Sequence, residues 1–375
     1  MAEGGAVIYF DAAATSFQKP PEVERAVLGA LRRCASVGRG GYQAAVEAAK
    51  TVYDCRKKAA ELFDAKPEQV IFTTSATHGL NIALASLVKP GDRVVISGFE
   101  HNAVTRPLKA LGAKICVAGR KLFDAEDTLT AFEEALLEPT AAVVCSQVSN
   151  VFGYVLPLEK IARLCQKRNV PLVVDASQGA GLLPLSLQNS GAAFIAMPGH
   201  KGLYGPQGTG LLLCGSEPKP LFYGGTGSNS ALQEMPDFLP DRLEAGTHNV
   251  CGIAGLSAGL DFVKKRGSDE ILRHERRLLK LLLSQIGEQE KIEFFTGKNQ
   301  TGVLSLGIKN VDCEEAAQRL ADCGVAVRAG LHCAPFAHES AGTLDSGTLR
   351  ISFSAFNTPQ EVHSFARLCK KLFLN

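Results

Sequence analysis

Short apolar runs that recur along the first two thirds of the chain constrain its fold most strongly. Between them lie longer stretches of helical pattern, of which 44–63 and Leu158–Arg168 are the clearest. This alternation of strand and helix is typical of βαβ units, so it predicts an α/β fold with a mostly parallel sheet covered by helices. The predicted strands are 70–72, Arg93–Ser97, 141–146, Leu172–Asp175, 193–197 and Gly210–Cys214.

The pattern changes after Gly252, which indicates a second, smaller α+β domain. Its predicted elements are a long helical region to residue 289, strands at 303–308, 325–328 and 348–353, a helix at 313–322 and a final amphipathic helix from Thr358. The 375 residues exceed the usual size of one domain. We therefore predict a large domain of residues 20–255 and a small domain of residues 1–19 plus 256–375.

Two charged side chains stand at the ends of predicted strands. Asp175 ends one strand, and Lys201 follows the strand 193–197 in a Gly-rich turn. Ligands of open α/β sheets bind outside the carboxyl ends of the strands, so both side chains are expected at one site. Pyridoxal phosphate (PLP) needs this pair, because a lysine forms its Schiff base and an acid keeps its ring nitrogen protonated. The alternatives are a solvated loop lysine and an aspartate that caps a helix.

A phosphate site is predicted where the strand 70–72 passes through Thr and Ser residues into a helix. The free N–H groups and the dipole at the start of a helix favour an anion, and we place the phosphate at Ala76 and Thr77. The alternative is that the Ser and Thr residues of this segment form an ordinary helix cap.

Three more polar residues follow strands that end at this edge of the sheet. His101 could lie over a planar ring and exchange protons with it, its alternative being a capping or partly exposed histidine. Asn150 could donate to a ring oxygen or a substrate carboxylate, and Gln178 could reach the phenolic oxygen of the cofactor.

Composition excludes several classes of partner. The net charge is +2 and no basic block interrupts the chain, so neither nucleic acid nor a membrane is expected as a partner. The eleven cysteines are scattered without a C-x-x-C pair, which favours reduced thiols, most of them in the core, over a disulfide framework or a metal site. Residues 1–5 lack the pattern of a signal peptide, so we predict a cytoplasmic protein.

Taken together, these segments resemble the class V aminotransferase family over almost the whole chain. Within that family, the segment 328–335, Arg-Ala-Gly-Leu-His-Cys-Ala-Pro, is similar to the group II cysteine desulfurase and selenocysteine lyase branch. The resemblance is carried by Asp-Ala-Ala-Ala-Thr at 11–15, Glu-His-Asn-Ala at 100–103, Ser-Asn at 149–150, Asp-Ala-Ser-Gln at 175–178, Gly-His-Lys at 199–201 and Glu-Ala-Gly-Thr at 244–247.

The resemblance implies a PLP-dependent homodimer of fold type I with its active site at the subunit interface. It makes His200 a phosphate ligand and Arg350 the clamp for the substrate α-carboxylate, a role that suits the planar fork of an arginine. Thr247 would reach the phosphate bound mainly by the other subunit. It also implies that Lys201 forms the Schiff base, that Asp175 pairs with the ring nitrogen and that His101 stacks on the ring. Gln178 and Asn150 would bond the ring oxygen or the substrate.

Cys333 decides between the functions of this branch. Its polar, Gly-rich neighbourhood could stabilise a thiolate, whereas the alternative is a cysteine that merely fills space. We predict a cysteine desulfurase in which Cys333 attacks the sulfur of L-cysteine, forms a persulfide, releases L-alanine and passes the sulfur to an acceptor or scaffold protein. A selenocysteine lyase, another class V lyase or transaminase, and a non-catalytic scaffold stay open. Pro198 and His338 depart from the better-known members, and His338 has no assigned role.

Overall fold

A computed structural model describes residues 7–38 and 40–374 of the chain. The N-terminal residues 1–6, including those inspected for a signal peptide, lie outside the described part. No described helix combines the length and apolar character that a membrane crossing requires.

The central sheet has seven strands in the order β2-β8-β7-β6-β5-β3-β4. β8 runs opposite to the other six strands, and the remaining pairs are parallel, so the prediction of a mostly parallel sheet is confirmed. Most of these strands are apolar and buried on both faces, which is typical of strands covered by helices on each side. Their bounds are β2 Val70–Thr73, β3 Arg93–Ser97, β4 Lys114–Ala118, β5 Ala142–Ser146, β6 Leu172–Asp175, β7 Phe194–Pro198 and β8 Gly210–Cys214.

Helices cover both faces of this sheet and form two hydrophobic cores with it. On one side α3 and α4 pack against the sheet, and on the other side lie α2, α5, α6 and α8. The helices of this part of the chain are α1 Pro21–Arg33, α2 Gln43–Leu62, α3 Ala76–Leu87, α4 Asn102–Ala110, α5 Ala125–Ala135, α6 Leu158–Arg168, α7 Leu187–Ser190 and α8 Val250–Arg266.

A second sheet, of order β12-β13-β10-β9, is antiparallel and has its own core, to which the N-terminal Phe10 contributes. A short parallel pair joins β1 to β11, so the two ends of the chain meet here. The strands are β1 Ile8–Tyr9, β9 Ile292–Phe295, β10 Val303–Ile308, β11 Val325–Ala326, β12 Arg328–Gly330 and β13 Thr348–Ser352. The helices are α9 Ser268–Ile286, α10 Cys313–Asp322, α11 Pro335–Ala341 and α12 Pro359–Cys369. The exact boundary between a domain of residues 20–255 and one of residues 1–19 plus 256–375 stays a prediction.

Two predicted elements differ from those observed. The long helical region from residue 252 to 289 is two helices, because Gly267 between α8 and α9 has a φ of +84°, which a helix does not accommodate. The predicted strand 325–328 is split, because Val325–Ala326 pairs with β1 whereas Arg328–Gly330 pairs with β13. The strands β1, β4 and β9 were not predicted.

Candidate active site

Eight of the predicted site residues line one cleft outside the carboxyl ends of the parallel strands. The cleft holds about 100 Å³ of space for water-sized molecules. The strands β5, β6 and β7 are adjacent in the sheet, with Ser146 beside Asp175 and Asp175 beside Ala196, which brings their loops together. The eight residues are Ala76, Thr77, His101, Asn150, Asp175, Gln178, His200 and Lys201.

Lys201 is presented by the turn that follows β7. Gly199 is required in this turn, because an added Cβ atom would lie 2.1 Å from the Thr209 hydroxyl. Burial lowers the pKa of the Lys201 amine to about 8, with Arg350 adding to the effect and Asp175 opposing it. Within the described residues the amine has no hydrogen-bond acceptor, so it is available as a nucleophile in the cleft.

Asp175 ends β6 and is buried. Its Oδ1 accepts a hydrogen bond from the backbone N–H of Ser177 at 2.9 Å, and the residues that follow form turns. Asp175 therefore caps a turn and not a helix. It lines the cleft together with His101 and Lys201, and its charge acts to raise the pKa of both, against the effect of burial.

His101 both caps a helix and lines the cleft. Its Nδ1 accepts a hydrogen bond from the backbone N–H of Ala103 at 2.9 Å at the start of α4. Because Nδ1 is an acceptor, the proton of the neutral ring is on Nε2. Burial lowers the pKa of His101, which favours this neutral form.

The start of α3 leaves backbone donors free in the cleft. The Ser75 hydroxyl caps the helix by accepting from the backbone N–H of His78 at 3.2 Å. The N–H groups of Ala76 and Thr77 have no acceptor among the described residues. Such free donors at a helix N-terminus suit a phosphate.

The N-terminal segment 11–16 packs over the cleft, which sequence reasoning did not foresee. The Gln178 amide donates to the carbonyl of Ala13 at 2.9 Å. His200 Nδ1 lies 2.9 Å from the Thr15 hydroxyl, and the His200 carbonyl accepts from the backbone N–H of Ser16 at 3.0 Å. The one available signal was the motif Asp-Ala-Ala-Ala-Thr, to which no role could be given from sequence.

Arg350, predicted as the carboxylate clamp, is 2% exposed on β13 and does not line the cleft directly. Its guanidinium donates to Asp11 Oδ1 and to the carbonyl of Asn150, both at 2.9 Å. The third guanidinium nitrogen, Nε, is buried and has no hydrogen-bond partner in the described structure. Asp11 also bonds Arg328, so one carboxylate holds two arginines.

Glu100 is a buried acid beside the cleft to which sequence reasoning gave no role, although it precedes His101 in a quoted motif. It is fully buried between the ends of β3 and β5 and accepts from both the N–H and the hydroxyl of Ser146 at 2.7 Å. Burial raises its pKa to about 7 in spite of these hydrogen bonds. Glu100 thus holds Ser146, which lines the cleft.

Cys333 is exposed on a turn that is fastened to the cleft. His332 and Cys333 both have left-handed backbones, with φ values of +49° and +57°. The Cys333 carbonyl accepts from the backbone N–H of Asn102 at 2.7 Å, and the His332 carbonyl accepts from the Asn150 amide at 2.8 Å. The Asn150 amide predicted for the cofactor or substrate therefore also holds the thiol turn.

The other cysteines are not all core residues. Five of them are buried, as expected, but Cys323 is exposed at the end of α10. All eleven thiols are free.

Thr247 lies apart from the Lys201 cleft, in a neighbouring surface pocket. Its loop is held by Glu244, which makes two hydrogen bonds to Arg56, at 2.8 and 2.7 Å, and one to His248 at 2.7 Å. Although burial acts to raise the pKa of Glu244, hydrogen bonds from His248 and Arg56 hold it below its usual value. Within this chain Thr247 is therefore placed for a different site from that of Lys201.

Comparison with known proteins identifies the family. Residues 8–365 match the model of the class-V aminotransferases, and the chain belongs to that family. A probable cysteine desulfurase of Methanothermobacter thermautotrophicus is 31% identical over 370 residues, 95% of this chain and 92% of the relative. A probable cysteine desulfurase of Xylella fastidiosa is 33% identical over 383 residues, 96% of this chain and 90% of the relative.

Solved structures agree with this assignment. The apo structure of a cysteine desulfurase from Thermococcus onnurineus NA1 has a TM-score of 0.88 at 28% identity and covers 98% of this chain and 95% of its own. The cysteine desulfurase CsdA from Escherichia coli has a TM-score of 0.85 at 25% identity, with coverages of 97% and 94%. The predicted family, fold type and PLP dependence are confirmed.

The residues of the cleft fit PLP. Lys201 supplies an unpaired amine for its aldehyde, Asp175 a carboxylate for its ring nitrogen, and the start of α3 two free N–H groups for its phosphate. These three groups are the ones that the cofactor's chemistry requires.

Proposed function

We propose that the chain is a PLP-dependent cysteine desulfurase that converts L-cysteine to L-alanine and carries the sulfur as a persulfide on Cys333. One observation carries the proposal: the exposed Cys333 turn is bonded directly to Asn102 and Asn150, which belong to the segments that form the Lys201 cleft. The names of the relatives and of the similar structures support the same activity.

The residues that would hold PLP are those of the cleft. Lys201 would bind it covalently, Asp175 would pair with its ring nitrogen, and the neutral ring of His101 would lie against its face. The N–H groups of Ala76 and Thr77, with His200, would hold its phosphate. When bound, PLP withdraws electrons from the α-carbon of an amino acid, which no side chain of the protein does by itself.

Lys201 is the proposed proton carrier for the substrate. Because its pKa is lowered to about 8, a useful fraction of the amine is neutral near neutral pH and can accept the α-proton at Nζ. The nearby carboxylate of Asp175 stabilises the resulting ammonium. His101 is less suited to this transfer, since its Nδ1 is occupied by the backbone of α4.

Cys333 is the proposed sulfur acceptor. Its thiolate forms a bond to the sulfur of the substrate, and the Cβ–S bond of the substrate breaks with its electron pair left on Cβ. That carbon takes up a proton and becomes the methyl group of L-alanine, while the ammonium of Lys201 returns the α-proton to the α-carbon. The products balance as L-alanine and a Cys333 persulfide.

Arg350 is proposed to fix the substrate carboxylate. Its buried Nε–H lacks an acceptor, and a carboxylate oxygen would supply one. Asn150 accepts from the same guanidinium and holds the Cys333 turn, so it would couple substrate binding to the position of the thiol.

We also propose a cytoplasmic homodimer that delivers sulfur to an acceptor or scaffold protein. Free cysteines support a reducing compartment. Apolar side chains on and beside α1 and α2 support a subunit contact, since soluble monomers rarely leave so many exposed together. The exposed residues are Phe17, Leu28, Leu31, Tyr42, Val46 and Tyr53. In such a dimer Thr247 would reach the phosphate held by the partner.

The decisive experiment incubates the purified protein with L-cysteine and a reductant and measures alanine and sulfide. K201A should lose both the visible absorption of bound PLP and all alanine formation. C333S should keep the absorption and lose sulfide release, whereas C323S, which removes the other exposed thiol, should behave like the wild type. Undiminished sulfide release by C333S would reject the persulfide role, and release of selenide from selenocysteine by C333S would indicate a lyase for that substrate.

A further inference from the structure

We propose that His338 is a positioning residue for the Cys333 turn and acts through the ring of His332. This inference deepens the proposed function and rests on it only for the catalytic readout. His338 lies on α11 and is fully buried, and His332 directly precedes the thiol.

The turn needs support because it is strained. Two consecutive residues with side chains, His332 and Cys333, adopt left-handed backbones, which glycine adopts far more readily. Such a conformation persists only where the surroundings impose it. Asn150 and Asn102 hold the two carbonyls, and the buried side chain of His332 is a further contact of the turn.

The two histidines form a buried pair below the turn. Their ring centroids are 5.8 Å apart and the ring planes differ by 33°. His332 Nε2 lies 3.2 Å from the carbonyl of Thr348, so it carries the proton and its Nδ1 is an acceptor. His338 Nδ1 lies 2.8 Å from the Thr343 hydroxyl.

One nitrogen of each ring is buried without a hydrogen-bond partner, namely Nδ1 of His332 and Nε2 of His338. Buried polar atoms of this kind are normally satisfied by protein or by an ordered water. If the Thr343 hydroxyl donates to His338, then Nε2 of His338 is a donor and complements the acceptor on His332. The His338 ring also interacts with the backbone carbonyl of Leu331, so α11 supports the strained turn both at Leu331 and through the ring of His332.

Burial keeps both rings neutral, as this pattern requires. It lowers the pKa of His338 to about 4 and that of His332 still further. Two charged rings at this distance would instead repel each other.

Two conservative variants test the proposal in the PLP-loaded protein. In H338N the side chain keeps an amide near Nδ1 for Thr343 but loses the group that faces His332, whereas H338Q places an amide near Nε2. We expect H338N to lower kcat for L-cysteine about tenfold or more with little change in KM, because a displaced reactive group costs rate rather than binding. H338Q should restore most of the rate.

Hydrogen exchange gives a readout that does not depend on catalysis. In H338N the peptides that cover residues 331–334 should exchange faster, while those that cover the start of α3 stay unchanged, and H338Q should again resemble the wild type. Wild-type exchange and kcat in H338N would overturn the proposal. Equal losses of kcat and of protection from exchange in both variants, with a lowered melting temperature, would also overturn the proposal. They would show that His338 acts only by packing in the core. If the wild type forms no alanine, the proposed function fails while the exchange experiment still decides the role of His338.

Discussion

At the scale of single residues, the buried carboxylate of Asp11 holds two arginines beside the site. Asp11 bonds Arg350, which is 2% exposed, and Arg328, whose side chain is 51% exposed. Arg350 in turn donates to Asn150. The substrate-binding arginine that we propose is therefore held in place before any substrate arrives.

The unequal burial of the two arginines leads to a prediction about stability. D11A should lower the free energy of unfolding by about 3–5 kcal/mol, because it leaves the Arg350 charge buried without its partner. R328Q removes only the exposed pair and should cost at most about 1 kcal/mol. Urea denaturation of both variants measures the difference, and equal losses would show that burial does not govern this pair.

The lowered pKa of Lys201 leads to a prediction about cofactor uptake. With a pKa of about 8, about a tenth of the amine is neutral at pH 7, against about 0.03% for an ordinary lysine. Only the neutral amine reacts with an aldehyde, so the rate at which cofactor-free protein takes up PLP should rise with pH and level off above about 8. Stopped-flow absorbance measures the rate, with K201A as the blank. A rate that still climbs steeply toward the ordinary lysine pKa would mean that burial does not activate the amine.

How much of this site is predictable from the sequence depends on how far apart the contacting residues lie. Residues at strand ends, such as Asp175 and Lys201, could be placed because parallel strands end at one edge of the sheet. The contact of Asp11 with Arg350 joins the two ends of the chain, and no local pattern records it. The sequence likewise could not show that His101 is both a helix cap and a cleft residue, since the same residues are compatible with either role.

At the scale of secondary structure, local patterns predicted most strands, and tertiary pairing decided the rest. The buried runs of β3 and β6 have the observed bounds, since burial on both faces leaves a continuous apolar signal. The strand predicted at 325–328 is divided because its halves pair with β1 and β13, from opposite ends of the sequence. The edge strand β4 is largely half-exposed, so its signal was weak.

The start of α3 can be tested as an element. Proline is favoured at the first position of a helix but has no N–H, so A76P should keep the helix and lose one proposed phosphate donor. Hydrogen bonds to charged groups contribute about 1.5–3 kcal/mol, so PLP affinity should fall about ten- to a hundredfold. A125P, at the first position of α5 and far from the cleft, is the matched control and should bind PLP normally. Equal affinities in the two variants would exclude α3 as the phosphate site.

At the scale of the whole molecule, α9 reaches a cavity beside Lys201. Glu275 on α9 lines a small cavity that Lys201 and Gln178 also line. Its side chain is packed so closely against Gly302 that an added Cβ atom there would lie 2.5 Å from the Cβ of Glu275. Within the described residues no cation or hydrogen-bond donor pairs with this carboxyl. Its burial therefore lowers the stability of the folded state.

This buried acid makes stability depend on pH in a defined direction. Burial raises the pKa of Glu275 well above 4.5, so the folded protein keeps a proton that the unfolded chain releases. The folded state is therefore favoured below that value and loses stability as pH rises toward the folded pKa, by at most about 1.4 kcal/mol per pH unit. E275Q cannot ionise, so the free energy of unfolding of the wild type should fall relative to that of E275Q as pH increases. Urea denaturation at several pH values measures this difference, with E288Q on the exposed surface as the control. A constant difference between wild type and E275Q would mean that Glu275 is ionised in the fold and has a partner.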